Sequence, residues 1–176
     1  MRSLPFRKPS ANSMYLVLVA ILVIFADQAS KILVEKRMEV GQSIPIVADF
    51  FRLTFVRNAG GAFGISLGGE WFYLVASIVA IVFIFLYFRR MSAMGAGPQI
   101  SLAMILGGAL GNLVDRLRYG TVTDFLDFGI GRLRWPVFNL ADAAVTVGIV
   151  VFLLSLLLKK AEDRGENKAL DRSQPD

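Results

Sequence analysis

Between residues 107 and 146 the chain reads GGALGNLVDRLRYGTVTDFLDFGIGRLRWPVFNLADAAVT, with four aspartates, Asp115, Asp124, Asp127 and Asp142, beside Asn112, Arg116 and Asn139. The sequence has no cysteine and no histidine. Thiolate nucleophiles, disulfides and cysteine metal sites are excluded, and the commonest general base is absent. Any catalysis rests on carboxylates, lysine, hydroxyls or backbone. Two facing carboxylates cannot both ionise cheaply, so one keeps its proton. The ionised partner can then take a proton from water while the other donates to a carbonyl oxygen, the chemistry of an aspartyl protease. Asp124 and Asp142 suit that role if the hairpin between them brings both to one level. Spacing alone leaves other readings open. Asp142 opens a helix, where the dipole favours an acid as a cap, and Asp115, Asp124 and Asp142 could together hold a metal ion, although oxygen-only sites usually show denser acids.

The elements that must position these groups are apolar. The chain of 176 residues is 55% hydrophobic with a mean hydropathy of +0.59, too apolar for an ordinary soluble domain. Four runs, residues 14–34, 71–88, 98–117 and 137–158, have the dimensions of membrane spans, which need about 20 residues. The uncharged part of the third, residues 100–114, covers only about 22 Å as a helix, which puts Asp115 and Arg116 at the membrane boundary. The expectation is one integral-membrane domain over 1–160, a four-helix core with a polar cytoplasmic tail at 161–176 that reads as solvated. Arg2, Arg7 and Lys8 before the first run resemble a signal peptide, but no small-x-small site follows and the run reads as a retained span. Residues 1–13, 89–98 and 159–176 carry three, two and five lysines and arginines, which predicts that both termini are cytoplasmic. The net charge of +5 flanks apolar runs instead of forming a stripe, so the expected partner is lipid and not nucleic acid.

Residues 35–70 and 118–136 then lie outside. Residues 40–58 are rich in β-branched and aromatic side chains and read as one or two short strands. A glycine-rich loop follows, with Asn58, Gly60, Phe63 and Gly64, suited to dip into the interface or touch an extended ligand. Residues 122–128 alternate like a strand, with Asp124 on one face and Asp127 on the other. Gly129 to Gly131 makes a turn, and residues 132–138 return as a strand broken by Pro136. In the first span, Asp27 and Lys31 share a helical face four residues apart, as a packing ion pair or as a contact to substrate or headgroups. A Ser30–Lys31 nucleophile pair is disfavoured because adjacent helical residues point about 100° apart. Gly107, Gly111 and Asp115 form a small-residue stripe for close helix packing, with Gly108 and Asn112 one step around.

Five boxes in register carry a resemblance over residues 14–158: Asp27-Gln28-x-Ser30-Lys31, Asn58-x-Gly60-x-Ala62-Phe63-Gly64, Gly111-Asn112-x-x-Asp115-Arg116, Gly120-x-Val122-x-Asp124-Phe125 and Phe138-Asn139-x-Ala141-Asp142. In these the chain resembles the signal peptidase II family, the membrane aspartyl endopeptidases of bacterial lipoprotein maturation. The resemblance implies a catalytic pair, Asp124 and Asp142, with no cofactor or metal. It implies supporting or substrate-binding roles for Asn58, Gly60, Phe63, Asn112, Asp115, Arg116 and Asn139, and for Asp27 and Lys31. It implies a monomer in the bacterial inner membrane, with the site near the outer face and a diacylglyceryl-modified prolipoprotein as substrate, cut on the amino side of the lipidated cysteine. Gly61 stands where the family usually has alanine, which bears on loop stiffness and not on the chemistry. A four-helix cation exporter built on Asp27 is the rival, but such a protein needs its acid near midplane, and here the acids gather at one edge.

Overall fold

The computed structural model describes residues 11–60, 69–91 and 95–173. Four helices, α1 (Ala11–Arg37), α2 (Gly69–Met91), α3 (Ala96–Tyr119) and α4 (Leu140–Ser173), accompany four strands, β1 (Ser43–Val47), β2 (Phe51–Asn58), β3 (Val122–Ile130) and β4 (Leu133–Arg134). Helix α3 is central and touches α1, α2 and α4. Its buried side includes Gly107, Gly108, Gly111, Asn112 and Asp115. A Cβ at Gly108 would sit 2.4 Å from the Ala141 carbonyl oxygen, and one at Gly111 would sit 2.6 Å from Asp27 Oδ2. The expected small-residue stripe therefore brings both α1 and α4 against the α3 backbone.

Along α1 the buried residues Leu16, Ala20, Asp27, Lys31 and Val34, and Met38 just past its end, recur at helical spacing toward α3 and the sheet. Val17, Leu18, Ile21, Leu22 and Phe25 point outward and are exposed. Helix α4 likewise exposes Val147, Val150, Leu153 and Leu157. Apolar side chains left uncovered along whole helices fit a lipid surround. Among the described residues, Leu16–Arg37, Ala96–Tyr119 and Leu140–Leu158 are long and apolar enough to cross a membrane.

The strands form one antiparallel sheet in the order β1-β2-β3-β4. Residues 40–58 divide into the β1–β2 hairpin, and Asp124 pairs with Val56 across β2–β3. The end of α1 closes the underside of the sheet, where Val34 and Met38 pack on Phe55 and Phe125. On the rim, Phe128 stacks on Phe51 at 4.6 Å and on Phe138 at 5.9 Å between ring centroids.

Two boundaries differ from those expected. The β3 strand runs on through Gly129 and Ile130, so the turn is Gly131-Arg132, and Gly131 adopts a φ of 57°. The apolar run starts at Val137, but the helix begins at Leu140, which leaves Asp142 in its opening turn as expected, because the sheet holds Phe138. The Phe138 carbonyl accepts from Phe125 N at 3.0 Å and Leu126 N at 2.7 Å, and its own N–H donates to Leu126 O at 3.1 Å. The segment after Lys160, expected as a solvated end, continues α4 as helix to Ser173. Most of the glycine-rich loop, including Phe63 and Gly64, lies outside the described residues.

Candidate active site

Asn139 is where the site is built. It is the residue before α4, and its Oδ1 accepts the Asp142 N–H at 2.9 Å, a helix cap of the usual side-chain type. With Oδ1 committed to the helix, the Asn139 amide must present its Nδ2 the other way. That nitrogen donates to Asp124 Oδ1 at 2.6 Å and to Asn112 Oδ1 at 3.1 Å. Asn112 Nδ2 in turn donates to Asp142 Oδ1 at 2.8 Å. Two amides thus bridge the two aspartates, one arriving on β3 and the other on the first turn of α4.

The remaining oxygen of Asp124 accepts from Asn58 Nδ2 at 2.8 Å, and the Gly60 N–H donates to Asn58 Oδ1 at 2.8 Å. Arg116 donates to Ser77 Oγ at 3.2 Å and to the Gly60 carbonyl at 3.4 Å. Its charge also acts on Asp142, Asp124 and Asp115. Asp124 is 1% exposed and Asn139 fully buried. Burial, and then the charge of Asp142, push the Asp124 carboxyl up to about 7 against the pull of its amide donors. Near neutral pH the Asp124 carboxyl is therefore about half protonated.

A second layer lies behind Asn112. Lys31 Nζ donates to Asn112 Oδ1 at 2.9 Å and pairs with Asp27 at 2.8 Å and Asp115 at 3.0 Å. Asp27 also accepts the Ala141 N–H at 2.9 Å, and Asp115 accepts the Thr123 N–H at 3.0 Å. One ammonium thereby ties α1 to α3, with the start of α4 and the start of β3 attached to its two acids. Between the two open readings of the Asp27–Lys31 pair, burial at 0% and 1% exposure favours the packing ion pair; neither side chain reaches headgroups or solvent. Ser30 donates to the Asp27 carbonyl at 2.7 Å and stands outside this network.

Asp127 faces away from Asp124, as strand alternation predicts. It accepts from Thr54 Oγ1 at 2.6 Å and from Arg134 Nε at 2.7 Å. Among the described residues no three acidic side chains converge as a metal-ligand set, and Asp115 is taken up by Lys31. Gln28, inside the first box but given no role from sequence, donates to Asp115 Oδ1 at 2.9 Å and to the Gly111 carbonyl at 3.1 Å. Its signal was the spacing of three to Lys31. Ser77, the partner of Arg116, carries no signal in an otherwise featureless run.

Comparison with known proteins agrees with the boxes. The family profile described as signal peptidase (SPase) II matches residues 19–158. The lipoprotein signal peptidase of Halothermothrix orenii is 45% identical over 139 residues, covering 79% of this chain and 92% of its own. That of Desulforapulum autotrophicum is 42% identical over 154 residues, covering 84% and 94%. That of Brevibacillus brevis is 40% identical over 151 residues, covering 86% and 100%. A bacterial membrane enzyme solved by the in meso method at 2.3 Å superposes with a TM-score of 0.78 at 30% identity, covering 85% of this chain and 91% of that one. A second, solved at 1.9 Å, gives 0.72 at 30% identity, covering 82% and 93%. With matches of this extent on both sequence and fold, the chain belongs to the signal peptidase II family.

Proposed function

We propose that the protein is an aspartyl endopeptidase that removes signal peptides from diacylglyceryl-modified prolipoproteins, cutting on the amino side of the lipidated cysteine. The observation that carries this reading is the pair Asp124 and Asp142, bridged by Asn139 and Asn112. Asp124 is assigned the proton, since its carboxyl is pushed up to about 7 by burial and by Asp142. Asp142, held by Asn112, is assigned the charge.

In the first step Asp142 takes a proton from water, whose oxygen bonds to the scissile carbonyl carbon. Asp124 gives its proton to the carbonyl oxygen as that oxygen gains charge. On collapse, the carbon–nitrogen bond breaks and the Asp142 proton passes to the leaving cysteine nitrogen. The new carboxyl is completed as the hydroxyl proton returns to Asp124. No metal or cofactor enters. Arg116 and Asn58 border the aspartates and are assigned to hold the substrate backbone. Gly60 is assigned to the same role, with Phe63 of the same loop.

The proposed setting is a monomer in the bacterial inner membrane, with α2 as a fourth span, both termini cytoplasmic, and the sheet and both aspartates at the outer face. The protein would form one domain to about residue 160, with residues 161–176 in the cytoplasm. Incubating purified protein with a diacylglyceryl-modified prolipoprotein tests the reading. Release of the signal peptide with a new amino-terminal lipidated cysteine is expected; no cleavage would overturn it. Activity should also survive strong chelators, whereas loss restored by a divalent ion would favour a metal at the aspartates.

A further inference from the structure

Glu35 is the third member of a stripe on α1. Asp27, Lys31 and Glu35 follow one another at intervals of four, so they share one face of the helix. Asp27 accepts the Ala141 N–H at the start of α4, and Lys31 reaches Asn112 and Asp115 on α3. Glu35 belongs to none of the sequence boxes, yet it continues the series one turn nearer the sheet. Its Oε1 accepts the Thr123 hydroxyl at 2.7 Å and pairs with Arg57 at 3.1 Å.

Thr123 is held on three sides. Its hydroxyl donates to Glu35 and accepts from Arg57 Nη1 at 2.8 Å, and its N–H donates to Asp115 Oδ2 at 3.0 Å. The residue is fully buried. Arg57 lies over the Tyr119 ring at 4.3 Å, and the Tyr119 hydroxyl donates to Glu35 Oε2 at 3.4 Å. At one carboxylate on α1 the end of α3, β2 and β3 therefore all meet.

This meeting point backs onto the aspartates. Arg57 and Thr123 pair across β2–β3, and their neighbours Asn58 and Asp124 project from the opposite face of the sheet. There Asn58 Nδ2 donates to Asp124 at 2.8 Å. On its other side Asp124 adjoins a bulge. Leu53 pairs with Leu126 and Val56 with Asp124, so Thr54 and Phe55 together oppose Phe125. A bulge disrupts the ladder and bends its strand, so strand pairing alone holds Asp124 loosely. The carboxylate thus hangs between two holds, the Phe138 carbonyl on Phe125 and the cluster around Glu35 on Thr123.

We infer that Glu35 is a positioning residue for Asp124. By fixing Thr123 from the α1 side of the sheet, it sets the height at which the Asp124 carboxyl meets Asn58 and Asn139. The inference rests on the peptidase reading for its effect on rate, and on geometry alone for its effect on β3. A misplacement of about 1 Å at a reacting group can cost about 100-fold in rate.

Two measurements on the full-length protein in detergent test it: amide hydrogen exchange along β3, and cleavage of a diacylglyceryl-modified prolipoprotein. In Glu35→Ala, amides of residues 122–126 should exchange about tenfold faster or more, while those in the middle of α3 stay as in the wild type. In the same variant kcat should fall about tenfold or more with KM within about twofold, because Arg116 and Gly60 are untouched. Glu35→Gln keeps an oxygen for the Thr123 hydroxyl and should bring both readouts to within about threefold of the wild type. Thr123→Val cuts the same link from the β3 side, so it should match Glu35→Ala, and the double variant should be no worse. It also carries the test if Glu35→Ala does not fold. Thr54→Val is the control for general loosening, since it removes a β2–β3 bond to Asp127 and should leave kcat unchanged. Unchanged exchange in Glu35→Ala, faster exchange at full kcat, or an equal kcat loss in Thr54→Val would each overturn the inference. If the wild type does not cleave, the peptidase reading falls by itself. Faster exchange at residues 122–126 then still supports Glu35 as the hold on Asp124, and unchanged exchange overturns it.

Discussion

At Asp124, burial and the nearby Asp142 charge oppose two amide donors, and burial prevails, leaving a carboxyl that titrates at about 7. The sign for activity follows. In the proposed mechanism, Asp124 supplies the proton for the carbonyl oxygen below that pH, and above it the site holds two negative charges and no acid. Cleavage rate should therefore fall as pH rises through about 7, and a rate that climbs across that range would reverse the assigned roles. Asp124→Asn and Asp142→Asn should each lower kcat by about 10⁴-fold or more, with the double variant no worse, because the pair acts as one unit. Asp127→Asn is the control on the same strand. It should keep most activity while weakening the tie to Arg134 and Thr54, visible as a modest drop in melting temperature. If Asp127→Asn abolishes cleavage and Asp124→Asn spares it, the assignment is wrong.

At the scale of elements, the start of α4 carries two duties in one side chain, and substitution can separate them. Asn139→Ser keeps a capping oxygen for the Asp142 N–H but loses the nitrogen that reaches Asp124 and Asn112. It should lose activity by about 100-fold or more and about 1–3 kcal/mol of stability, because a buried oxygen of Asp124 loses its donor. Asn139→Ala loses the cap as well and should cost about 1 kcal/mol more in denaturant unfolding. Equal stability of the two would mean that the cap contributes nothing. This same junction marks how far the sequence could be read. Asp27 and Lys31 at i, i+4, the glycine stripe and the alternation of Asp124 with Asp127 are local periodicities, and each stands in the fold as its spacing predicts. The start of α4 was legible as well, since residues 132–138 read as the returning strand and Asp142 as the opening of the helix. What was not legible is the meeting of Lys31 with Asp115 and Asn112, which depends on how α1 rotates against α3. The mixed charges of the tail gave no sign that α4 continues through it as helix, although extending an existing helix needs no new nucleus.

For the whole molecule, the topology proposed for α1 to α4 has a plain test. Tags at residues 3 and 170 should report the cytoplasm, and tags near Gly68 and Gly129 the outside; a cytoplasmic Gly129 would put the aspartates on the wrong face. Helix α4 has 34 residues, about 51 Å, against a hydrocarbon core of about 30 Å, so its last turns must project beyond the bilayer. The buried ammonium of Lys31 has a consequence in biosynthesis. The ribosome completes α1 well before Asp115 exists, yet Asp27 already lies within 2.8 Å of Lys31 on the same helix. The nascent α1 can thus partition into lipid as a self-neutralised segment, and α3 later docks on a charge that is no longer naked. A truncated chain ending before α3 should integrate α1 as efficiently as the full chain in glycosylation mapping. The same truncation with Lys31→Met should integrate poorly, because Asp27 would enter the membrane alone.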